Sequence, residues 1–440
     1  MKVARAPLPI TGLPGFVPLF EGSLWASWSA WVSGVRVLDG VTPADWLQYL
    51  RLKPGVSCRL AFFPDLHPAA AAAGTPNAGP PEGILVHLFD TPERAERAFA
   101  KFVAHRARDD GHGAEPFLDR GAAAVVASML DDPELPGLRH LRRPYRVKTW
   151  LERAFLNAGP LSKRTLRYRM LRYKPGRRGA FEVGIAPRSR AGTPFPLRAH
   201  LRIERPSDAL RTLERMRALR ERLKGAAPHV EVPEVLWADP DSGVSVRAWL
   251  EGTVEGDAWS LDRARRVGAA LASLHAVDPA ACALPAFDPE REWVEPVRNA
   301  RALLPDPGTA AERLALSLAE TFAARDPSRD VAIHGDLHPG QVVFRDEGVG
   351  WLDLDRARRA PAAFDFASLR VQAGLGFDSE THAAVRHGYR EAGREPPAES
   401  EIVAAETAIR LGRWSDPFRR LDPDWPTAMR RAFEQLESAR

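Results

Sequence analysis

Lysine is scarce in this chain: only seven of the 62 basic residues are lysine, at positions 2, 53, 101, 148, 163, 174 and 224, and the other 55 are arginine. Chemistry that depends on a lysine has few places to find one. Cysteine is scarcer still, since Cys58 and Cys282 stand far apart without ligand spacing, which argues against a disulfide framework or a cysteine-zinc site and fits a reducing cytoplasm. No apolar run approaches the roughly 20 residues of a membrane span. The opening "MKVARAPLPITGLPGF" also lacks the charged-then-apolar layout of a signal peptide. Basic clusters interleaved with aromatics are missing too: arginines alternate with acids in "RTLERMRALRERLKG", the pattern of a solvated helix rather than a nucleic-acid surface. The expectation is a cytoplasmic protein that engages neither membrane nor nucleic acid.

What is present comes in two halves. A chain of 440 residues buries a sizeable core and suits two or three domains. Residues 256–440 carry 24 basic and 30 acidic residues, a net of −6, which leaves 38 against 27, or +11, for residues 1–255. In the basic half, "LWASWSAW" spaces Trp25, Trp28 and Trp31 three apart, as on the core face of an amphipathic helix. The same half repeats itself. "LRLKPG" at Leu50 to Gly55 returns as "LRYKPG" at Leu171 to Gly176, with five of six residues identical. Downstream, "VHLFDTPERAERAFAKF" parallels "AHLRIERPSDALRTLER", and "VVASMLDD" parallels "VSVRAWLEG". Drift in the offset is accounted for by surface insertions such as the Ala/Pro/Gly tract at 67–83. Each copy reads as a hairpin, a third strand, a helix and a further strand. In the second copy Leu197, Ala199, Leu201 and Ile203 alternate with Arg198, His200, Arg202 and Glu204, a half-buried strand with one polar face. The first copy has Leu85, His87 and Phe89 on that polar face instead. Beyond residue 255 the periodicity turns helical, in "LDRARRVGAALASLHAVDP", "TAAERLALSLAETFAARDP", "AESEIVAAETAIRLGRW" and "WPTAMRRAFEQLESA".

Chemistry concentrates in "IHGDLHPGQ", Ile333 to Gln341, followed by "WLDLDRARRAPAAFDFASL". Two histidines and an aspartate at alternating positions are open to a zinc reading, His334, Asp336 and His338 with Asp353 as a further donor. Context favours another layout: a short strand "VAI", an irregular loop, a strand "QVVF", a turn, and a strand "WLDLD" that ends in acids. Transfer of a phosphoryl group to a hydroxyl needs a carboxylate to take the hydroxyl proton, with a divalent metal held nearby by oxygen donors.

With these residues in view, the chain resembles the aminoglycoside phosphotransferase and choline kinase superfamily, the maltokinase-like branch included. The resemblance rests on "HGDLHPGQ", "LDLDRARRAPAAFDFASL" and "LASLHAVDP" and covers roughly residues 160 to 440. It implies an α+β, protein-kinase-like fold of two lobes, a small antiparallel sheet lobe and a larger helical lobe, here with a duplicated small-lobe-like unit in front. The expected divisions are 1–150 for the repeat, 151–255 for the small lobe and 256–440 for the helical lobe. The resemblance also implies ATP or GTP and Mg²⁺ as cofactors and a small-molecule hydroxyl as substrate: an aminoglycoside, an amino alcohol or a sugar. Asp336 would be the catalytic base, with His334 bracing its loop. Asp353 and Gln341 would hold the metal, assisted by Asp355, Gln standing where the family usually has Asn. Asp365 would steady the loop or cap its helix. The nucleotide would lie between the second sheet unit and the helical half, against the linker residues Ala248, Trp249 and Leu250, with Lys174 in the loop over its phosphates. The family's strand lysine is missing from "PLRAHLRIE". His200 and Arg202 are expected to replace it, and the same gap motivates the alternative of a catalytically weak pseudokinase that binds nucleotide as a regulator.

Overall fold

The computed structural model describes residues 12–25, 27–28, 43–63, 83–107, 114–188, 197–227, 229–254, 259–346, 348–372 and 378–438. Trp31 and nearly all of the 67–83 tract lie outside them. The chain divides into two compact units, Met1–Leu210 with Leu236–Ala248 and Asp416–Ala428, and Arg211–Val235 with Trp249–Ser415 and Met429–Arg440.

The repeat is a repeat of topology. Strands β1 (Leu47–Lys53), β2 (Ser57–Phe62) and β3 (Ile84–Phe89) lead into helix α1 (Pro92–Arg106), and β4 (Phe117–Asp119) and β5 (Ala124–Ser128) complete a sheet of order β1-β2-β3-β5-β4. The second copy runs β6 (Arg167–Lys174), β7 (Arg178–Ile185), β8 (Leu197–Glu204) and α2 (Pro206–Ala226). After β9 (Val230–Glu231), which joins another sheet, come β10 (Val235–Asp239) and β11 (Val244–Ala248), giving the matching order β6-β7-β8-β11-β10. The conserved wording of "LR.KPG" has a local cause. Proline takes the second place of each hairpin turn and glycine the third, at φ +63 for Gly55 and +64 for Gly176. The turns close through Val56 N–H to Lys53 O at 3.0 Å and Arg177 N–H to Lys174 O at 2.9 Å. A type II turn demands a left-handed third residue, and glycine reaches it without steric cost.

The two copies share one core. Ala61, Phe63, Met129, Leu135 and Leu138 of the first pack with Phe181, Leu201, Ile203 and Val246 of the second, and each large apolar side chain so buried contributes about 1.5–3 kcal/mol. The expected apolar face of β8 therefore forms as read. Its polar face differs from the expectation, because Arg202 and Glu204 are buried as well, at 3% and 6% exposure. In the first copy the equivalent face is apolar and filled: Leu85, Phe89, Val125 and Ala127 pack on Ala95 and Phe102 of α1. Trp25 and Trp28 are buried, as their spacing predicts.

The second unit is mostly helical, with α3 (Leu261–His275), α4 (Pro305–Ala323), α5 (Ala363–Gln372), α6 (Ser379–Glu391) and α7 (Glu399–Gly412), and it also receives most of α8 (Trp425–Ser438). Ser260 caps α3 by accepting from Arg263 N–H at 3.3 Å. Two small sheets carry the motif: β12 (Val331–Ile333) pairs antiparallel with β15 (Arg358–Ala360), and β13 (Val342–Phe344) pairs with β14 (Val349–Trp351), which also takes β9 in parallel. The whole is α+β, with the duplicated sheet unit that the repeat implied. No described helix is long and apolar enough to cross a membrane.

Candidate active site

Strand β12 delivers the chain into the "HGD" loop, and the loop's backbone is clamped at once. The N–H groups of His334 and Gly335 donate to the two oxygens of Asp365 at 2.7 and 2.9 Å, and Asp365, in the first turn of α5, is fully buried. His275, the last residue of α3, places Nε2 at 3.2 Å from Asp365 and Nδ1 at 3.0 Å from the Tyr389 hydroxyl. Burial pushes the Asp365 carboxyl up, yet the hydrogen bond and charge of His275, the charge of His334 and the Gly335 N–H outweigh it and hold the group below the usual carboxylate range. Position 335 requires glycine: φ is +78, and a Cβ there would run into the carbonyl of Arg356.

Asp336 follows with a partly exposed carboxylate. Its Oδ1 accepts from Gln372 Nε2 at 3.3 Å and its Oδ2 faces Arg356 Nε at 3.9 Å. Desolvation raises its pKa, but the positive charge of Arg356, then His334, Gln372 and His338, reverse the sign and leave it lowered. The group is an ionised acceptor at neutral pH. That is the state a base needs.

The hairpin β13–β14 brings the remaining acids to this loop. Leu352 N–H donates to Gln341 O at 2.9 Å, which sets Gln341 across from the residue before Asp353. The strand expected through "WLDLD" stops at Trp351, and Asp353 adopts φ +51, ψ +44, a left-handed conformation that an L-residue takes at a cost. Asp355 lies in the short turn Leu354–Arg356 that follows. The two histidines are engaged as loop braces: His334 Nε2 donates to Leu352 O at 2.8 Å, and His338 Nδ1 accepts from Gly340 N–H at 3.2 Å. Among the described residues no group of three or more His, Cys, Asp or Glu is arranged to hold a metal. Gln341, Asp353 and Asp355 instead offer a small set of hard oxygen donors, which suits Mg²⁺, an ion that completes its shell with water and phosphate oxygens.

The other expected binding residues fall on three strands and on the segment that follows the last of them. In the first unit, His200 pairs across β8 with Glu182 and Arg247, and Arg202 donates from Nη2 to Glu204 Oε1 at 2.7 Å. Arg247 lies 3.7 Å from the other oxygen of Glu204, so one buried carboxylate serves two guanidiniums. Lys174 ends β6 beside a turn that is tied down, since Gly176 N–H and Tyr173 hydroxyl both donate to Asp132, at 2.6 and 2.8 Å. A cavity of about 20 Å³ beside it, lined by Arg59, His87, Asp132 and Gly176 among others, has room for one water. Ala248 closes β11, and Trp249 and Leu250, half-buried, open the next segment of the second unit. Sequence reasoning passed over Gln372, Arg356 and the role of His275. "LASLHAVDP" signalled His275; nothing local marked the other two.

Residues 187–401 match the sequence model of the family described as "Phosphotransferase enzyme family". Among solved structures, the chain is similar to a macrolide 2′-phosphotransferase from Brachybacterium faecium, with 23% identity, 65% of this chain and 98% of that one covered, and a TM-score of 0.43. A choline kinase from Streptococcus pneumoniae aligns with 12% identity over 67% of this chain and 99% of its own, at a TM-score of 0.48. A choline/ethanolamine kinase family protein from Mesorhizobium loti aligns with 17% identity over 59% and 84%, at 0.43. No curated protein matches the chain.

Proposed function

We propose that this chain, whose residues 187–401 match the phosphotransferase enzyme family, is a small-molecule kinase that transfers the γ-phosphate of ATP, with Mg²⁺, to a hydroxyl of a small molecule. The observation that carries this reading is the ionised, partly exposed carboxylate of Asp336 on a loop whose backbone is clamped by buried Asp365, with Gln341 at the loop's end bonded through its carbonyl to Leu352, the residue before Asp353. Asp336 accepts the acceptor hydroxyl's proton as that oxygen bonds the γ-phosphorus; the bond from phosphorus to the β–γ bridging oxygen breaks, and the electron pair leaves on ADP. Gln341, Asp353 and Asp355 would hold Mg²⁺, which when bound would spread the negative charge of the transferring group. Arg202 and His200 take the place of the strand lysine toward the nucleotide phosphates, with Lys174, Ala248, Trp249 and Leu250 as further nucleotide contacts. His334 serves the reaction by fixing the loop. An amino sugar, an amino alcohol and a neutral sugar are all suitable acceptors.

The test is ADP release from Mg²⁺-ATP across a library of hydroxyl compounds, with Asp336→Asn as the control. That variant should keep nucleotide-induced thermal stabilisation while turnover falls about 10²- to 10⁴-fold, the scale of losing an acid-base group. Near-normal turnover in Asp336→Asn removes Asp336 from the mechanism. Thermal stabilisation by nucleotide with no turnover on any acceptor favours the nucleotide-binding regulator, a reading supported by the engagement of Arg202 with Glu204.

A further inference from the structure

The Asp336 carboxylate is held from outside its own loop. Gln372, the last residue of α5, donates from Nε2 to Asp336 Oδ1 at 3.3 Å and from the same nitrogen to Ser368 Oγ at 2.7 Å. Ser368 is buried one turn back on the helix. An ionised carboxylate only accepts, so the amide must face it with nitrogen, whose two hydrogens are then divided between Asp336 and Ser368. Arg356 acts differently. At 3.9 Å, Nε to Oδ2, it attracts by charge without the directionality of a hydrogen bond. Helix α5 thus meets the loop twice, through Asp365 on the backbone of His334 and Gly335 and through Gln372 on the Asp336 side chain.

We propose that Gln372 is a positioning residue for the phosphoryl transfer: by binding Oδ1 it fixes the rotation of the Asp336 carboxylate and presents Oδ2 to the acceptor hydroxyl. This rests on Asp336 being the base. The terminal torsion of an aspartate is broad and roughly two-fold, so an untethered carboxylate samples orientations in which neither oxygen faces the acceptor. A tether on one oxygen removes that freedom, and the gain appears in the transfer step rather than in nucleotide binding. Ser368 belongs to the same device, because it stops the amide itself from turning.

The measurement is ADP release from Mg²⁺-ATP, first with water as acceptor and then with the hydroxyl compound found by the screen. Gln372→Met keeps the length of the side chain and removes the donor. It should lower kcat about 10- to 100-fold, the worth of a hydrogen bond to a charged group, with the KM for nucleotide unchanged. Ser368→Ala should lower kcat in the same direction by less. In an Asp336→Asn background Gln372→Met should change the residual rate by less than about 2-fold, since what it positions has gone. A kcat for Gln372→Met within 2-fold of wild type overturns the proposal, and so does a loss of equal size in the Asp336→Asn background, which would mark a role in the fold alone. Full turnover in the Asp336→Asn single variant overturns the reading of Asp336 as base, an outcome separate from either.

Discussion

Replacing Asp365 tests how much of the site depends on one buried carboxylate. It receives three donors, His334 N–H at 2.7 Å, Gly335 N–H at 2.9 Å and His275 Nε2 at 3.2 Å, and has no exposure to solvent. Asparagine retains one acceptor oxygen. Placed where Oδ2 was, that oxygen keeps His334 and His275, but the amide nitrogen then confronts the Gly335 N–H and leaves it unsatisfied. The cost is about 1–3 kcal/mol for the orphaned group. Alanine removes all three acceptor contacts, and breaking a buried charged network of this kind costs about 3–5 kcal/mol. In the second unit, of roughly 200 residues, each kcal/mol moves Tm by about 2–4 °C, so the expected losses are about 2–12 °C for Asp365→Asn and about 6–20 °C for Asp365→Ala. Urea and thermal unfolding measure the losses, and amide hydrogen exchange at His334 and Gly335 localises them, because both amides should lose protection in the variants. The sign with pH follows from the lowered pKa of Asp365. Its stabilisation is present above the unfolded value of about 3.9 and is lost as pH falls through the folded value, so the gap between wild type and Asp365→Ala narrows only in strong acid. A Tm change under 1 °C for Asp365→Ala at pH 7, or amides that stay protected, would refute the clamp.

Three further expectations follow from particular contacts. Asp353→Gly relieves a left-handed conformation, so stability at pH 7 should be unchanged or higher by about 1 kcal/mol while Mg²⁺-dependent turnover is lost; a destabilised variant, seen in urea titration, counts against the strain argument. Arg356→Ala removes the largest charge lowering Asp336, and since a base works deprotonated, the acid limb of the kcat/KM profile should move to higher pH, solvent screening of the half-exposed guanidinium limiting the displacement. The first repeat should not take nucleotide. Its His87 is held down to about 3 by burial and then by Arg59 and Lys101; its NMR signal should therefore not titrate between pH 5 and 8, and a photoreactive ATP analogue should leave residues 47–128 unlabelled, strong labelling there being the contrary result.

The sequence by itself determined whatever depends on neighbours along the chain. Proline and glycine in "KPG" fix a turn wherever they occur, so the duplication was legible from six residues, and the two-residue alternation on β8 announced which face enters the core. The irregular loop after β12, the hairpin and the helices beyond residue 255 followed from the same local rules. The strand expected through "WLDLD" ends at Trp351, and Asp353 turns left-handed, a conformation that nothing in the local pattern announces. Only the folded chain decided that Arg202 and Glu204, polar by pattern, are buried together, since burial depends on what arrives from elsewhere and charge pattern does not encode it. The same holds for the partners of the motif. Asp365 meets His275 across 90 positions and Asp336 meets Gln372 across 36, separations at which no periodicity survives and at which only packing chooses which side chain reaches which carboxylate.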